Sequence, residues 1–243
     1  MRWGVVTFPG SLDDHDTVYA LGQVLGESVV SLWHKDRSLQ GVDCVVLPGG
    51  FSYGDYLRPG AIARFAPIME SIQRFAAEGG LVFGICNGFQ VLCEARLLPG
   101  ALVANRSLSF VCERVSVRVE ETESPFTRLG AKGDVLRVPI KHGAGCYVAD
   151  ATTLRALEDG GQVVLRYVDP AGRATEDANP NGSQNNIAGI VNERRNVFGM
   201  MPHPEHACDK LVGGEDGAVL FRSVKASVQA GRPAQSAPVA PGP

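Results

Sequence analysis

The chain reads Phe83-Gly84-Ile85-Cys86-Asn87-Gly88-Phe89-Gln90 at one point, with a cysteine flanked by a glycine two residues away on each side. A short apolar run, 80–83, precedes it, and residues 87–95 carry apolar side chains at helical spacing, which predicts a strand, a sharp turn and a helix. Such a turn presses the positions before and after the cysteine together, so glycine is required at both, as in the serine elbow G-x-S-x-G. Amides and the positive dipole end at a helix start favour thiolate over thiol. The pattern predicts nucleophilic chemistry at Cys86.

Length and charge limit the classes of function. A chain of 243 residues with 44% hydrophobic side chains predicts one large α/β domain, at residues 1–230. The formal charge of -3 and the pI near 6.0 show no excess of basic residues of the kind that binds nucleic acid. They favour a small molecule or a protein as partner. No stretch has the apolar length of a membrane span, and residues 1–4 lead into a strand instead of a signal peptide. We therefore expect a cytoplasmic protein with no membrane partner.

The cysteines argue against a metal centre. They form no C-x-x-C pair and no zinc-ligand spacing, so in a reducing compartment they should be free thiols. Five of the six need no role beyond that of a small buried hydrophobe, and only Cys86 has flanks that indicate chemistry. The six are Cys44, Cys86, Cys93, Cys112, Cys146 and Cys208.

Strand and helix patterns predict an open, twisted, mostly parallel sheet of the flavodoxin-like kind, with helices on both faces. Four strand candidates, at 3–8, 27–33, 43–47 and 81–85, alternate with helical segments. Their glycine- and proline-rich ends gather with the elbow at the carboxyl edge, where such sheets place their sites.

The second half of the chain has a different pattern. Between 108 and 190 the strands are shorter and partly alternate, which predicts antiparallel additions to the sheet. Residues 196–201 predict a last strand that returns to the core, and 217–230 a closing amphipathic helix. The Pro- and Ala-rich tail, 231–243, has no large apolar side chains and is expected to be disordered.

A thiolate that attacks a carbonyl carbon needs a base and a group that orients the base. Among the histidines, His203 alone comes with a carboxylate at fixed distance, in Met201-Pro202-His203-Pro204-Glu205. The prolines should hold this segment extended, so that Glu205 projects to the same side and bonds one ring nitrogen. A lone His-x-Glu is usually an ordinary surface loop, but the elbow favours a Cys86-His203-Glu205 triad. A metal at His203 and His206 is the alternative, although Pro204 disfavours the helix that such a pair requires.

Attack on an amide also creates an oxyanion, which needs two converging backbone donors. The amide of Asn87, at the predicted helix start, is one candidate. The second is expected from Gly50 or Phe51 in Pro48-Gly49-Gly50-Phe51, because glycine lets backbone approach a ligand closely. Taken alone, the Gly-Gly pair is more typical of a turn.

With these residues in place, the chain resembles class I (triad) glutamine amidotransferase domains, and within them the glutaminase subunits of phosphoribosylformylglycinamidine synthase. The elbow and Pro202-His203-Pro204-Glu205 carry the resemblance to the superfamily. The run 48–61, Pro-Gly-Gly-Phe-Ser-Tyr-Gly-Asp-Tyr-Leu-Arg-Pro-Gly-Ala, narrows it to the synthase family. The resemblance covers nearly all of residues 1–230 and implies the class I glutamine amidotransferase fold.

The resemblance implies a two-step reaction. Cys86 attacks the carboxamide of glutamine, His203 protonates the departing ammonia, and the γ-glutamyl thioester is then hydrolysed to glutamate. In this family the ammonia travels to a large ATP-dependent synthetase subunit of purine biosynthesis, and a small third subunit bridges the two. This chain has no G-x-x-x-x-G-K-[ST] loop, so no cofactor is expected in it, and ATP and Mg²⁺ are expected on the large partner subunit.

The resemblance also suggests residues that hold the substrate. Gln90 lies one turn beyond the elbow, and Arg106 and Ser107 resemble a segment that contacts the α-carboxylate and amine of glutamine. Asp55, which belongs with Tyr56 and Arg58 in one loop, is predicted either to sense docking of the large subunit or to be ordinary solvated surface. Two segments depart from the usual family pattern: Leu12-Asp13 stands in place of Asn-Cys, and His142-Gly143-Ala144-Gly145 in place of His-Gly-Glu-Gly.

Two other functions share the elbow and the sheet. A free-standing cysteine hydrolase of the γ-glutamyl peptidase or PfpI-like type would cleave its substrate without a partner. A non-catalytic binding subunit would lose no activity when Cys86 is alkylated, and the intact Cys86, His203 and Glu205 argue against it.

Overall fold

The computed structural model describes residues 1–231. The strands are β1 Arg2–Thr7, β2 Ser28–Trp33, β3 Cys44–Leu47, β4 Leu81–Ile85, β5 Ala101–Val103, β6 Val111–Val119, β7 Val135–His142, β8 Cys146–Val148, β9 Val163–Val168, β10 Ile187–Val191 and β11 Val197–Met200. The α-helices are α1 Asp14–Tyr19, α2 Pro67–Ala77, α3 Asn87–Glu94, α4 Ala151–Asp159 and α5 Ala218–Gly231. A π-helical stretch, Ala20–Val24, continues α1, and short 3-10 turns lie at Ser52–Asp55, Ala63–Phe65, Gln184–Asn186, Pro204–Ala207 and Lys210–Val212.

A nine-stranded sheet in the order β2-β1-β3-β4-β11-β10-β9-β6-β7 forms the centre of the molecule. Strands β2, β1, β3, β4 and β11 pair in parallel, and β10, β9, β6 and β7 extend the sheet by antiparallel pairing. This confirms the parallel sheet with antiparallel additions, and the return of the segment near 196–201 to the core beside β4. Strands β5 and β8 form a separate two-stranded sheet.

The burial pattern explains why the two halves read differently in the sequence. All residues of β3 are buried, as expected for a parallel strand covered on both faces, whereas β6 is exposed near its start and alternates between buried and half-buried positions over its last five residues. Helix α1 packs on β1 and β2, and α3 packs on β3, β4 and β11. An aromatic cluster of Phe83, Phe126, Phe198 and Phe221 fills the core, with ring centroids 5.0–5.7 Å apart.

The predicted alternation of strand and helix is wrong for the connection between β2 and β3. Residues 34–43, between β2 and β3, form a loop with no helix. The segment is short and mostly polar, so it has no apolar stripe to bury against the sheet, and Gly41 lies at a positive φ of 67°. The loop nevertheless carries the chain past β1, which lies between these two strands.

The closing helix is confirmed as α5, shifted by one residue from the predicted 217–230. The predicted disordered tail, apart from Gly231 at the end of this helix, lies outside the described residues. Within residues 1–231, no helix is both long and apolar enough to cross a bilayer.

The predicted elbow is present between β4 and α3. Cys86 has φ 51° and ψ -106°, a conformation that non-glycine residues rarely adopt. A Cβ added to Gly84 would lie 2.8 Å from the backbone of Gly88, and one added to Gly88 would overlap the carbonyl oxygen of Leu47. Both glycines are therefore required by the close approach of strand and helix, as the sequence predicts.

We expect Gly88→Ala to lower the free energy of unfolding by about 3 kcal/mol, because the added methyl overlaps backbone at the end of β3. Urea unfolding followed by circular dichroism measures the change. The matched control is Gly22→Ala in the helical stretch Ala20–Val24, where the methyl would only contact Val29 at 3.7 Å. That control should stay within about 1 kcal/mol of the parent. A Gly88→Ala protein as stable as the parent would contradict the packing of the elbow.

Candidate active site

The ends of three neighbouring parallel strands bring the predicted site residues together. Gly50 follows β3, Cys86 follows β4, and His203 follows β11, so the site lies at the carboxyl edge, as predicted. A cavity of about 140 Å³ opens there. It is lined by Gly50, Phe51, Asp55, Cys86, Gln90, Phe110, Lys141, His142, Gly143 and Ala144.

Cys86 is held in its strained conformation by the backbone on both sides. Its amide donates to the carbonyl of Met200 at 2.8 Å, and its carbonyl accepts from the amide of Phe89 at 3.0 Å. The sulfur lies 3.9 Å from the carbonyl oxygen of Lys141, and Cys86 lines the cavity although the residue is only 5% exposed. Strain that the surroundings fix in this way is typical of functional positions.

His203 and Glu205 form a buried pair. The Nδ1 atom of His203 lies 2.6 Å from Oε1 of Glu205, and the backbone amide of His203 donates to the carbonyl of Pro139 at 2.8 Å. The predicted extended segment is only partly right, because His203 is extended but a 3-10 turn begins at Pro204. The turn still brings the carboxylate back to the ring.

The charge state of His203 follows from its neighbours. Burial opposes protonation, but the charges of Glu205 and Cys86 and the hydrogen bond with Glu205 outweigh it and raise the pKa of His203 to about 10. The other ring nitrogen, Nε2, is buried and has no partner within hydrogen-bonding distance among the described residues. His203 therefore carries a proton at neutral pH beside the sulfur of Cys86.

The three predicted oxyanion donors differ in whether their backbone N–H is already hydrogen-bonded. The amides of Asn87, at the start of α3, and of Gly50 make no hydrogen bond to any described residue. The amide of Phe51 donates to the carbonyl of Gly10 at 2.8 Å. Phe51 is therefore not an available donor in this conformation, because its N–H is already paired, and Gly50 and Asn87 remain as the candidates.

The side chain of Asn87 joins two walls of the cavity. Its oxygen accepts from the backbone amide of Ser52 at 3.0 Å and from the Ser52 hydroxyl. Its nitrogen donates to Asp55 at 3.3 Å and to Gln90 at 2.8 Å. Gln90 then donates to the carbonyl of Ala144 at 2.6 Å. Gln90 thus lies in the cavity wall with its amide bonded to protein groups at both ends, and its predicted contact with glutamine stays a prediction.

Arg106 and Ser107 do not line this cavity. Arg106 is mostly exposed and forms an ion pair with Glu176 at 2.9 Å, and the hydroxyl of Ser107 accepts from the amide of Ser109 at 3.3 Å. The structure thus places both residues outside the cavity lining, and their contact with glutamine stays a prediction of the resemblance.

Two asparagines that the sequence reasoning missed support the loop 142–145. Asn105 donates to the carbonyl of His142 at 2.8 Å and accepts from the amide of Gly145 at 2.9 Å, and Asn181 donates to the carbonyl of Gly145 at 2.9 Å. Burial, and then the charge of His203, lowers the pKa of His142 to about 4. His142 is therefore a neutral structural group at the cavity wall.

Asp13 is the main unexpected residue of the site. It is 3% exposed and accepts hydrogen bonds from the ammonium of Lys141 and from Nε2 of His206 at 3.2 Å. Its second oxygen lies 3.7 Å from Nδ1 of His203. Burial alone would raise the pKa of Asp13, but these hydrogen bonds and the charge of His203 hold it well below its usual range. Gly49 makes room for this arrangement, since a Cβ there would lie 2.7 Å from the ring of His203.

The same cluster could be mistaken for a metal centre. Asp13, His203, Glu205 and His206 offer ligand atoms that lie within 4.8 Å of one another. However, Nδ1 of His203 and Oε1 of Glu205 are 2.6 Å apart, whereas two ligands of a tetrahedral zinc ion lie about 3.3 Å apart. The ammonium of Lys141 also forms an ion pair with Asp13, so a cation already neutralises this carboxylate. The geometry fits groups that share protons and gives the His203–His206 metal alternative no support.

We expect Asp13→Asn to lower the free energy of unfolding at pH 7 by about 2 kcal/mol, because Lys141 and His206 lose a buried counter-ion. The pKa of Asp13 is lowered by folding, so its charge stabilises the fold above the ordinary value near 3.9 and less as pH falls below it. Urea unfolding at several pH values should show the two proteins converging below about pH 4. A difference that persists undiminished at pH 3 would contradict this assignment.

The comparisons with known proteins agree with this geometry. The family model described as a CobB/CobQ-like glutamine amidotransferase domain matches residues 1–214. The phosphoribosylformylglycinamidine synthase subunit PurQ of Moorella thermoacetica is 56% identical over 224 residues, which are 92% of this chain and 95% of that protein. The PurQ subunit of Thermomicrobium roseum is 57% identical over the same shares of both chains.

A solved structure matches over the same range. In the structure of PurLQS from Thermotoga maritima, one chain superposes with a TM-score of 0.82 at 44% identity, covering 93% of this chain and 98% of that one. The chain therefore belongs to the CobB/CobQ-like glutamine amidotransferase family and, within it, to the PurQ subunits of phosphoribosylformylglycinamidine synthase.

Proposed function

We propose that this chain hydrolyses glutamine at Cys86 and supplies the ammonia to a large ATP-dependent subunit, which makes phosphoribosylformylglycinamidine in cytoplasmic purine biosynthesis. One observation carries the proposal. A cysteine on a strained elbow lines a small cavity beside a buried histidine, and that histidine is fixed by a carboxylate at 2.6 Å. This is the arrangement that nucleophilic attack on an amide requires.

The reaction has two halves. The sulfur of Cys86 forms a bond to the carboxamide carbon of glutamine, and the carbon–nitrogen bond then breaks as protonated His203 gives its proton to the departing amide nitrogen, which leaves as ammonia. Water, whose proton His203 accepts, attacks the γ-glutamyl thioester and breaks the carbon–sulfur bond. Glutamate leaves and the thiolate is restored. Glu205 holds the ring and stabilises its positive charge.

Both halves pass through a tetrahedral oxyanion. The free amides of Gly50 and Asn87 are the donors that we assign to it, because they lie on neighbouring strand ends and neither is paired. The start of α3 adds its positive dipole end at the same point. Phe51 contributes to the cavity wall with its side chain rather than with its amide.

The partner follows from what this chain does not contain. The sequence has no phosphate-binding loop of the G-x-x-x-x-G-K-[ST] type, so we place ATP, Mg²⁺ and the ribonucleotide on the large subunit. The description of the relatives as synthase subunits, and the structure of PurLQS from Thermotoga maritima, support the existence of partner subunits. We assign synthesis to a large partner and bridging to a small one as part of this proposal.

The test is glutamate release from glutamine by the purified chain, alone and after assembly with the large and small subunits, ATP and formylglycinamide ribonucleotide. We expect strong stimulation by the assembled partners. Full activity of the chain alone would indicate a free-standing hydrolase instead. No activity in either condition would indicate a non-catalytic binding subunit.

A further inference from the structure

We infer that the carboxylate of Asp55 binds the α-ammonium group of glutamine and makes the site selective for amides that carry an amino group. The inference rests on the proposed function, since it concerns the same cavity and the same substrate. It assigns to Asp55 direct contact with the substrate, in place of the docking role considered from the sequence.

Asp55 lies at the end of the 3-10 turn Ser52–Asp55 and lines the cavity that also contains Cys86. Its side chain is half-buried and is oriented by the amide of Asn87, which donates to Oδ1 at 3.3 Å. Because Asn87 immediately follows Cys86, this bond ties the carboxylate to the elbow. Asp55 is therefore placed relative to the nucleophile and not only relative to its own loop.

The charge balance of the cavity leaves Asp55 without a cation. Lys141 is the one ammonium that residues 1–231 contribute to the lining, and it is paired with Asp13, which is not in the lining. His142 is neutral, because burial and the charge of His203 lower its pKa to about 4. No described residue forms an ion pair with Asp55, and burial raises the pKa of this carboxyl to about 6. A cationic group of the substrate would supply the missing counter-charge.

The backbone of the turn that carries Asp55 is strained, and its surroundings hold it in this conformation. Tyr53, Gly54 and Asp55 have φ values of 55°, 72° and 54°, and such a run of left-handed residues persists only where its surroundings fix it. The hydroxyl of Tyr53 bonds the ring of His34 at 2.7 Å, and the amide of Gly54 donates to the carbonyl of Phe51 at 2.8 Å. The loop is thus preorganised instead of freely moving.

The size of the cavity limits how the substrate can lie in it. Cys86 is 5% exposed, whereas Phe51 and Phe110, which line the same cavity, are 43% and 56% exposed, so the two phenylalanines mark its more accessible side. A carboxamide that reaches the sulfur leaves the α-carbon of glutamine toward that side. With about 140 Å³ available, the ammonium then has little freedom to avoid Asp55, the one carboxylate that the described residues contribute to the lining.

The experiment compares two substrates on the assembled synthase. Glutaramate, the monoamide of glutaric acid, keeps the carboxylate and the carboxamide of glutamine but lacks the α-ammonium. Initial rates of release of the acid product, glutamate from glutamine and glutarate from glutaramate, give kcat/KM for each, and their ratio measures the selectivity. The ratio does not depend on the fraction of enzyme that is assembled, so a change in docking alone would leave it unaltered.

The variant is Asp55→Asn. Asparagine keeps the acceptor for Asn87 and tolerates the positive φ of 54°, so the charge is removed with little change of shape. We expect kcat/KM for glutamine to fall about tenfold or more, mainly through KM, and that for glutaramate to stay the same or rise. Asp36→Asn, an exposed aspartate outside the cavity lining, is the matched control and should leave the ratio unchanged.

An equal loss for both substrates, or an unchanged ratio, would overturn the assignment of Asp55. Failure of the parent complex to hydrolyse glutamine would be a different result, since it would overturn the proposed function and this inference with it. The parent rate on glutamine therefore separates the two failures.

Discussion

Cys86→Ala should abolish synthesis of phosphoribosylformylglycinamidine from glutamine, with a loss of about 10³-fold or more, and should leave synthesis from ammonium chloride intact. Among the described residues that line the cavity, Cys86 is the one thiol that can form the thioester, whereas free ammonia needs no hydrolysis. Product formation by the assembled synthase with each nitrogen source measures both activities.

The matched control for this variant is Cys93→Ala. Cys93 is a buried cysteine of the same helix, its thiol faces the carbonyl of Pro99 at 3.7 Å, and it does not line the active-site cavity. Both activities should survive in this control. Equal loss of both activities in Cys86→Ala would argue that the residue supports assembly instead of glutamine hydrolysis.

His203→Ala should reduce glutamine-dependent turnover about as much as Cys86→Ala, and Glu205→Gln should reduce it about 100-fold less. The difference follows from their roles, because His203 transfers the protons and Glu205 positions and charges the ring. The measurement is kcat for glutamate release in the assembled complex, with ammonia-dependent synthesis as the control for assembly.

Glu205→Gln should also change the pH profile. The charge of Glu205 helps to raise the pKa of His203 to about 10, so its removal lowers that pKa. Because the imidazolium protonates the leaving ammonia, the alkaline limb of kcat should move to lower pH. A larger loss in Glu205→Gln than in His203→Ala, or an unchanged alkaline limb, would remove Glu205 from the triad.

The sequence predicted those features that local backbone chemistry determines. The elbow follows from two glycines, since the structure leaves no room for a Cβ at either position. The position of His203 and Glu205 follows from a strand end and two prolines, although the 3-10 turn at Pro204 was not foreseen. The parallel half of the sheet follows from continuous apolar runs such as β3.

Long-range contacts between charged side chains could not be predicted in the same way. Asp13 meets Lys141 and His206, which lie more than a hundred residues away along the chain. One signal was available, because Asp13 follows the buried strand β1 at the carboxyl edge of the sheet. The pairing of the Phe51 amide with Gly10 and the position of Arg106 outside the cavity also depend on tertiary packing.

The most direct measurement is to trap the intermediate. The assembled synthase is mixed with labelled glutamine, quenched in acid within a turnover and digested for mass spectrometry. We expect a γ-glutamyl adduct on the peptide that contains Cys86, and no adduct in Cys86→Ala. Glutamate released by the parent enzyme without any adduct at Cys86, or with the adduct on another residue, would contradict the assignment of Cys86 as the nucleophile.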